Sequence, residues 1–198
     1  MRCWFDNASG PDGLPYVDYV VGPGGDTGPV VDPAAVAAYL FRQMAIRPVP
    51  VGMAPRTVSD DADSLGLVGL PVWMWVDEVD AQSFGPASLS LSTGGVTVTL
   101  EAGVERVEWD MGDGTTVTCT TPGTPWTEER GATASPDCGH TYTTTSAGLP
   151  GEAFPVTATS YWVANWSAST GPSGVLTQQL QATEQVHVGE SQVVVTSD

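Results

Sequence analysis

Strict alternation of apolar and polar side chains is the feature that most narrows what this chain can become. Val96, Val98 and Leu100 alternate with Thr97 and Thr99, the pattern of a strand with one face buried and one in water. From Leu65 onward such segments follow one another. Val68 to Val76 carries Trp73 and Trp75 at a spacing of two, on one face, and a single row of this kind is expected to face the core. Leu89 and Leu91 form a short strand that Thr93-Gly94-Gly95 turns. Val107, Trp109 and Met111 share a face, and Thr115 to Cys119 continues after a tight turn. Phe154 to Trp166 places Phe154, Val156, Ala158, Trp162 and Trp166 on one side, and Leu176 to Ala182 and Val186 to Val195 close the chain. About seven to nine strands separated by turn signals predict an all-β sandwich. Composition agrees: charged residues are only 15%, against about 25% in ordinary domains. The polar faces must therefore be built from Thr, Ser, Gln and Gly, which suit strands and turns.

The first 64 residues read differently, as an extension to a sandwich spanning 65–198. Residues 1–30 are dense in Gly and Pro. Tyr16, Val17, Tyr19, Val20 and Val21 offer a short strand, and Trp4 and Phe5 are too apolar for a purely solvated arm. One short α-helix is predicted over about 33–44. Asp32 can cap its free N–H groups, Pro33 suits the first helical position, and Val36, Tyr39, Leu40 and Met44 recur at helical spacing. Pro48 is expected to end it. The Pro-rich run that follows suits an edge strand or a crossing segment. The helix is expected to pack on the sandwich, because so few residues cannot bury a core of their own.

Charge excludes several functions. There are 23 acids and 6 bases, a net charge of −17. All the bases are arginines, so no Lys/Arg cluster exists for phosphate contacts with nucleic acid, or for anionic membranes. Such acidity serves solubility, and it also admits cationic partners. The lack of lysine, the single isoleucine Ile46 and only two asparagines point to a GC-rich bacterial gene. No apolar run is long enough to span a membrane, and no signal peptide is visible in residues 1–30. Cys119 and Cys138 flank a loop rich in Pro, Gly and Thr, while Cys3 stands alone. A zinc site lacks a CxxC pair, and His140 is the only nearby histidine, so a Cys119–Cys138 disulfide is expected. It implies an oxidising compartment, hence a secreted or cell-surface protein.

Residues 107–114 read Val-Glu-Trp-Asp-Met-Gly-Asp-Gly. Gly112 and Gly114 can take the positive φ that a tight turn needs, and Asp110 and Asp113 can accept hydrogen bonds from its N–H groups. The segment resembles the WDFGDG signature of polycystic-kidney-disease (PKD) domains, with Met111 in place of Phe. His140-Thr141-Tyr142 is similar to the H-x-Y that follows in that family, and Phe154 to Thr159 to its Y-x-V-x-L strand. The match covers about residues 88–166. It departs from the family in the long insertion between Asp113 and His140, which carries both Cys119 and Cys138. The layout also resembles secreted PKD-like proteins of actinobacteria, with a leading Leu-Pro-x-Trp-x-Trp strand (Leu70 to Trp75) and a valine-rich C-terminus. The resemblance implies an immunoglobulin-like sandwich, in which Trp109, Asp110, Gly112, Asp113, Gly114, His140 and Tyr142 have structural roles.

No catalytic constellation stands out. His140 and His187 are the only imidazoles, and no GxSxG, HExxH, P-loop or dinucleotide fingerprint occurs. No metal site or cofactor is expected. Asp110 and Asp113 offer oxygens of the kind Ca²⁺ takes, but without an EF-hand-like spacing. The chain is therefore expected not to be an enzyme, but a binding or assembly module that recognises another protein at the cell surface or outside the cell. The alternative is a carbohydrate-binding module. Candidate binding residues are Trp126, which stands in the cysteine loop between Pro125 and Thr127, together with Trp4 and Phe5.

Overall fold

The computed structural model describes residues 17–21 and 27–191, with side chains described from Val31 onward. Trp4, Phe5 and Cys3 lie outside the described residues. The fold is mostly β, and its strands gather into one long sheet, one small sheet and a separate hairpin. The hairpin pairs β1 (Val17–Val21) with β2 (Thr27–Val31). The small sheet has the order β3 (Val51–Ala54), β5 (Pro71–Val76), β9 (Gly139–Thr141). The long sheet runs β4 (Leu65–Leu67), β11 (Ser173–Gly189), β10 (Ala153–Ala168), β7 (Val96–Asp110), β6 (Ala87–Thr93), and β8 (Thr116–Cys119) also pairs with β7.

Two cores share the long sheet. At one end its inner face meets the small sheet. There Val107, Trp109, Met111, Phe154, Val156, Ala158, Val186 and Val188 pack against Met53, Val72, Met74 and Val76. At the other end the same strands carry Val98, Leu100, Ala102, Trp162 and Ala164 under helix α1 (Pro33–Gln43). Sandwich packing thus covers half the sheet and a helix the other half. Each fully buried side chain of this size contributes about 1.5–3 kcal/mol.

The helix starts as its sequence dictates. The Asp32 carboxylate accepts from the Ala34 N–H at 2.9 Å, and Pro33 opens the first turn. Its buried stripe is Val36, Ala37, Leu40, Phe41 and Met44, whereas Tyr39 is only half-buried. The stripe is thus rotated toward Phe41 from the face that the 36-39-40-44 spacing marks. The helix also stops before Pro48 can act: Met44 caps it and Ala45 takes a φ of +50°, the left-handed turn common after helix ends.

Three strand boundaries differ from the sequence reading. β5 begins at Pro71 and not at Val68, because Val68-Gly69-Leu70 turns, with Gly69 at φ +82° and the Leu70 N–H donating to the Leu67 carbonyl. β7 is one strand through Ala102 to Arg106, kept continuous by a register shift opposite Tyr161 and Trp162 that absorbs Glu105. One extra residue bends a strand without ending it. β11 likewise runs unbroken through Thr183-Glu184-Gln185, paired with β10 along its length. Residues 192–195 of the last expected strand lie outside the described residues.

A larger correction concerns the tryptophan row. Val72, Met74 and Val76 face the core, so Trp73 and Trp75 point to the opposite side of β5. Trp73 is nevertheless only 1% exposed, because the cysteine loop folds over that outer face.

Candidate binding groove

The Asp-Gly turn after Trp109 is a braced structural element. Gly112 has φ +76° and Gly114 φ +91°. One Asp110 oxygen accepts from the Gly112 N–H at 3.0 Å, and one Asp113 oxygen from the Thr115 N–H at 2.9 Å. The second Asp113 oxygen meets His140 Nε2 at 2.8 Å. The Tyr142 hydroxyl donates to the Met111 carbonyl at 2.9 Å, and its ring stacks on Phe154 while meeting His140 edge-on. The long insertion is thereby tied back to the turn at its far end. Burial pushes the Asp113 carboxyl up, but the Thr115 N–H and then His140 outweigh it, leaving it below the usual carboxylate range. Burial, with Asp113 and Asp110 nearby, drives the Tyr142 hydroxyl far above its ordinary value. Among the described residues no group of three or more His, Cys, Asp or Glu side chains is placed to hold a metal ion.

The cysteine loop builds the second feature. Cys119 and Cys138 are joined, their Cα atoms 5.9 Å apart, an ordinary span for a disulfide. The Pro122 carbonyl accepts from the Val76 N–H and the Cys138 carbonyl from the Met74 N–H, which lays both arms of the loop along β5. Two indoles hold its tip: Trp73 Nε1–H donates to the Thr133 carbonyl at 2.7 Å, and Trp126 Nε1–H to the Gly131 carbonyl at 2.9 Å. The Arg130 guanidinium stands 5.7 Å from the Trp73 ring centre. Trp126 is thus half-buried, with its polar edge committed to the loop and not free in solvent.

Between this loop and strands β3 to β5 lies a groove of about 910 Å³. Trp75 forms part of one wall. Its indole occupies the space where a Cβ on Gly52 would stand, 2.1 Å from Nε1, and its N–H donates to Asp77 at 3.0 Å. Trp126 lines the groove from the loop side. Leu65 and Leu70, 57% and 43% exposed, add aliphatic surface, and Asp60, Asp61, Asp77 and Glu128 add carboxylates against the single cation Arg56. The lining contains neither His nor Cys. Its chemistry is that of recognition: π faces, aliphatic contact and negative charge.

The sequence singled out Trp126 but missed Trp75, Leu65, Leu70 and the aspartates beside them. The available signal was the double row of β5, where Val72-Met74-Val76 alternates with Trp73-Trp75. Both faces are apolar, so one must be covered by something other than the opposing sheet. No helix among the described residues is long and apolar enough to cross a membrane. Comparison with protein-family models, curated proteins and solved structures finds no match, and none of the three identifies a PKD-like domain.

Proposed function

We propose that this chain is a non-catalytic, extracellular module with an immunoglobulin-like, PKD-like sandwich, and that it recognises another protein. The fold reading draws on the Trp-Asp-Met-Gly-Asp-Gly turn and the His140 and Tyr142 contacts that brace it. The compartment reading draws on the disulfide.

The groove carries the functional reading. Exposed Leu65 and Leu70 beside Trp75 and Trp126 form an apolar channel with an acidic rim. An extended segment with apolar side chains and a few Lys or Arg would cover the leucines and pair with the rim. In a chain of net charge −17 such a partner is also attracted at long range.

A second reading has its own observation. Two indoles flanked by carboxylates would also suit a saccharide, by stacking and hydrogen bonding. Free aliphatic leucines are less useful to that ligand.

Selection from a random peptide library, beside a glycan array, tests the choice. The expected result is enrichment of basic, apolar peptides, lost on Trp126→Ala and on Gly52→Ala, which must displace Trp75. Binding should weaken with salt. Saccharide binding lost on the same substitutions, or peptide binding indifferent to both, would overturn the reading.

A further inference from the structure

We infer that a second copy of this chain pairs with the open edge of β11, joining two long sheets into one across a two-fold axis. The inference is independent of the groove and stands on a different part of the molecule.

β11 is held on one side by β10, in unbroken register from Ser167↔Ser173 to Ala153↔His187. On its other side, among the described residues, β4 takes only His187 to Gly189, and the Val58 N–H reaches the Gln185 carbonyl at 2.8 Å. From Ser173 to Thr183 no backbone group of the described residues pairs with that side. The Gln185 contact fixes which residues face outward, since backbone groups alternate along a strand. Val175, Thr177, Gln179, Gln181 and Thr183 therefore direct their N–H and C=O groups to the open edge. Leu180 directs its own toward β10, where the Ser160 hydroxyl reaches its carbonyl.

Proteins usually blunt such an edge with charge, proline, a bulge or shortness. This one has none of them. β11 contains no proline and no register shift, and the opposite edge strand β6 has only seven residues. Charge identifies the occupant. From Ala153 to Thr183 there is no Asp, Glu, Lys or Arg, in a chain with 23 acids and 6 bases. Two copies carrying −17 each repel wherever carboxylates approach within a Debye length, about 8–10 Å. The β11 edge is a long strip where they can touch without that penalty. An antiparallel dyad at Gln179 sets Thr177 opposite Gln181 and Val175 opposite Thr183, giving about ten backbone hydrogen bonds. It also brings Glu184 opposite Gly174, so no two acids meet.

Sedimentation equilibrium of the full chain over a wide concentration range, at low and high salt, tests this. The expected species has twice the 20.6 kDa chain mass and tightens with salt. Gln179→Pro removes only an outward N–H and should give a monomer with an unchanged circular dichroism spectrum. Gln179→Lys sets two ammonium groups at the dyad and should weaken the dimer several-fold. That sign is diagnostic, because adding positive charge to so acidic a chain would strengthen any non-specific association. A wild-type monomer throughout, a dimer that survives Gln179→Pro, or a dimer tightened by Gln179→Lys would overturn the inference. So would a monomer whose Thr177, Gln179 and Gln181 amides exchange slowly, since the chain's own residues would then cover the edge.

Discussion

Replacing Gly112 and Gly114 separately by alanine should resolve two costs that a single substitution would merge. Both glycines have left-handed φ, +76° and +91°, where a Cβ costs about 1–2 kcal/mol. They differ in surroundings. A Cβ on Gly114 meets nothing within 4 Å, whereas one on Gly112 would stand 2.6 Å from the Pro155 carbonyl oxygen and 2.8 Å from its Cδ. Pro155 belongs to β10, where it is paired with Gln185 of β11, so it cannot move aside cheaply, and overpacking of this kind adds about 1–3 kcal/mol. Gly114→Ala should therefore lose about 1–2 kcal/mol and Gly112→Ala about 2–5 kcal/mol. At about 2–4 °C per kcal/mol for a chain of this size, the two melting temperatures should stand several degrees apart. Gly112→Val should fall further than Gly112→Ala. Thermal and urea melts of the three variants decide it. Equal losses at the two glycines would show that the turn is not wedged against β10, and the account of its bracing would fail.

Removing the disulfide by Cys119→Ser with Cys138→Ser should cost about 3 kcal/mol, the loop-closure value for a ring of about twenty residues. It should also red-shift tryptophan emission as the loop leaves Trp73, which melts and fluorescence would show together. Asp113 sits below its ordinary carboxylate value in the fold. The stability it contributes is thus full above the unfolded value of about 3.9 and is lost as pH falls through the folded one. Asp113→Asn should flatten the acid limb of a stability–pH curve. Leu40→Ala, under the helix, should cost about 2–5 kcal/mol by equilibrium unfolding.

What was legible in the sequence followed local rules. The helix start is written in Asp32 and Pro33, whose effects reach one turn. The Asp-Gly turn is written in Asp110 and Asp113, whose carboxylates accept from the N–H two residues further on. The buried face of β10 is plain from period two, because Thr157, Thr159, Tyr161 and Asn165 alternate with Val156, Ala158, Trp162 and Ala164. Legibility failed where both faces of an element are apolar. In β5 the alternation fixes that Trp73 and Trp75 share a side but cannot say which side meets the other sheet, and the disulfide loop supplies a cover that no local pattern announces. Tyr39 and Phe41 present the same difficulty on the helix, where neighbouring aromatics compete and the sheet beneath selects Phe41. The groove was largely invisible for a related reason. Its walls come from Gly52, Leu65, Trp75 and Trp126, which are brought together by pairing across the chain and not by spacing along it.

The sharing of β7 and β10 between two cores has a consequence for how the molecule comes apart. Each strand is a single hydrogen-bonded rail that passes under the helix and continues into the sandwich. A tear that begins by lifting the helix lays bare Val98, Leu100 and Trp162, yet the same rails stay clamped further along by Trp109 and Val156. The register shift at Glu105 interrupts the ladder only on the β7 side, while β10 stays paired with β11 straight through it, so the two halves should melt together. Amide exchange in the middle of β7 and β10, around Val104 and Ser160, should therefore proceed only through opening of the whole sheet.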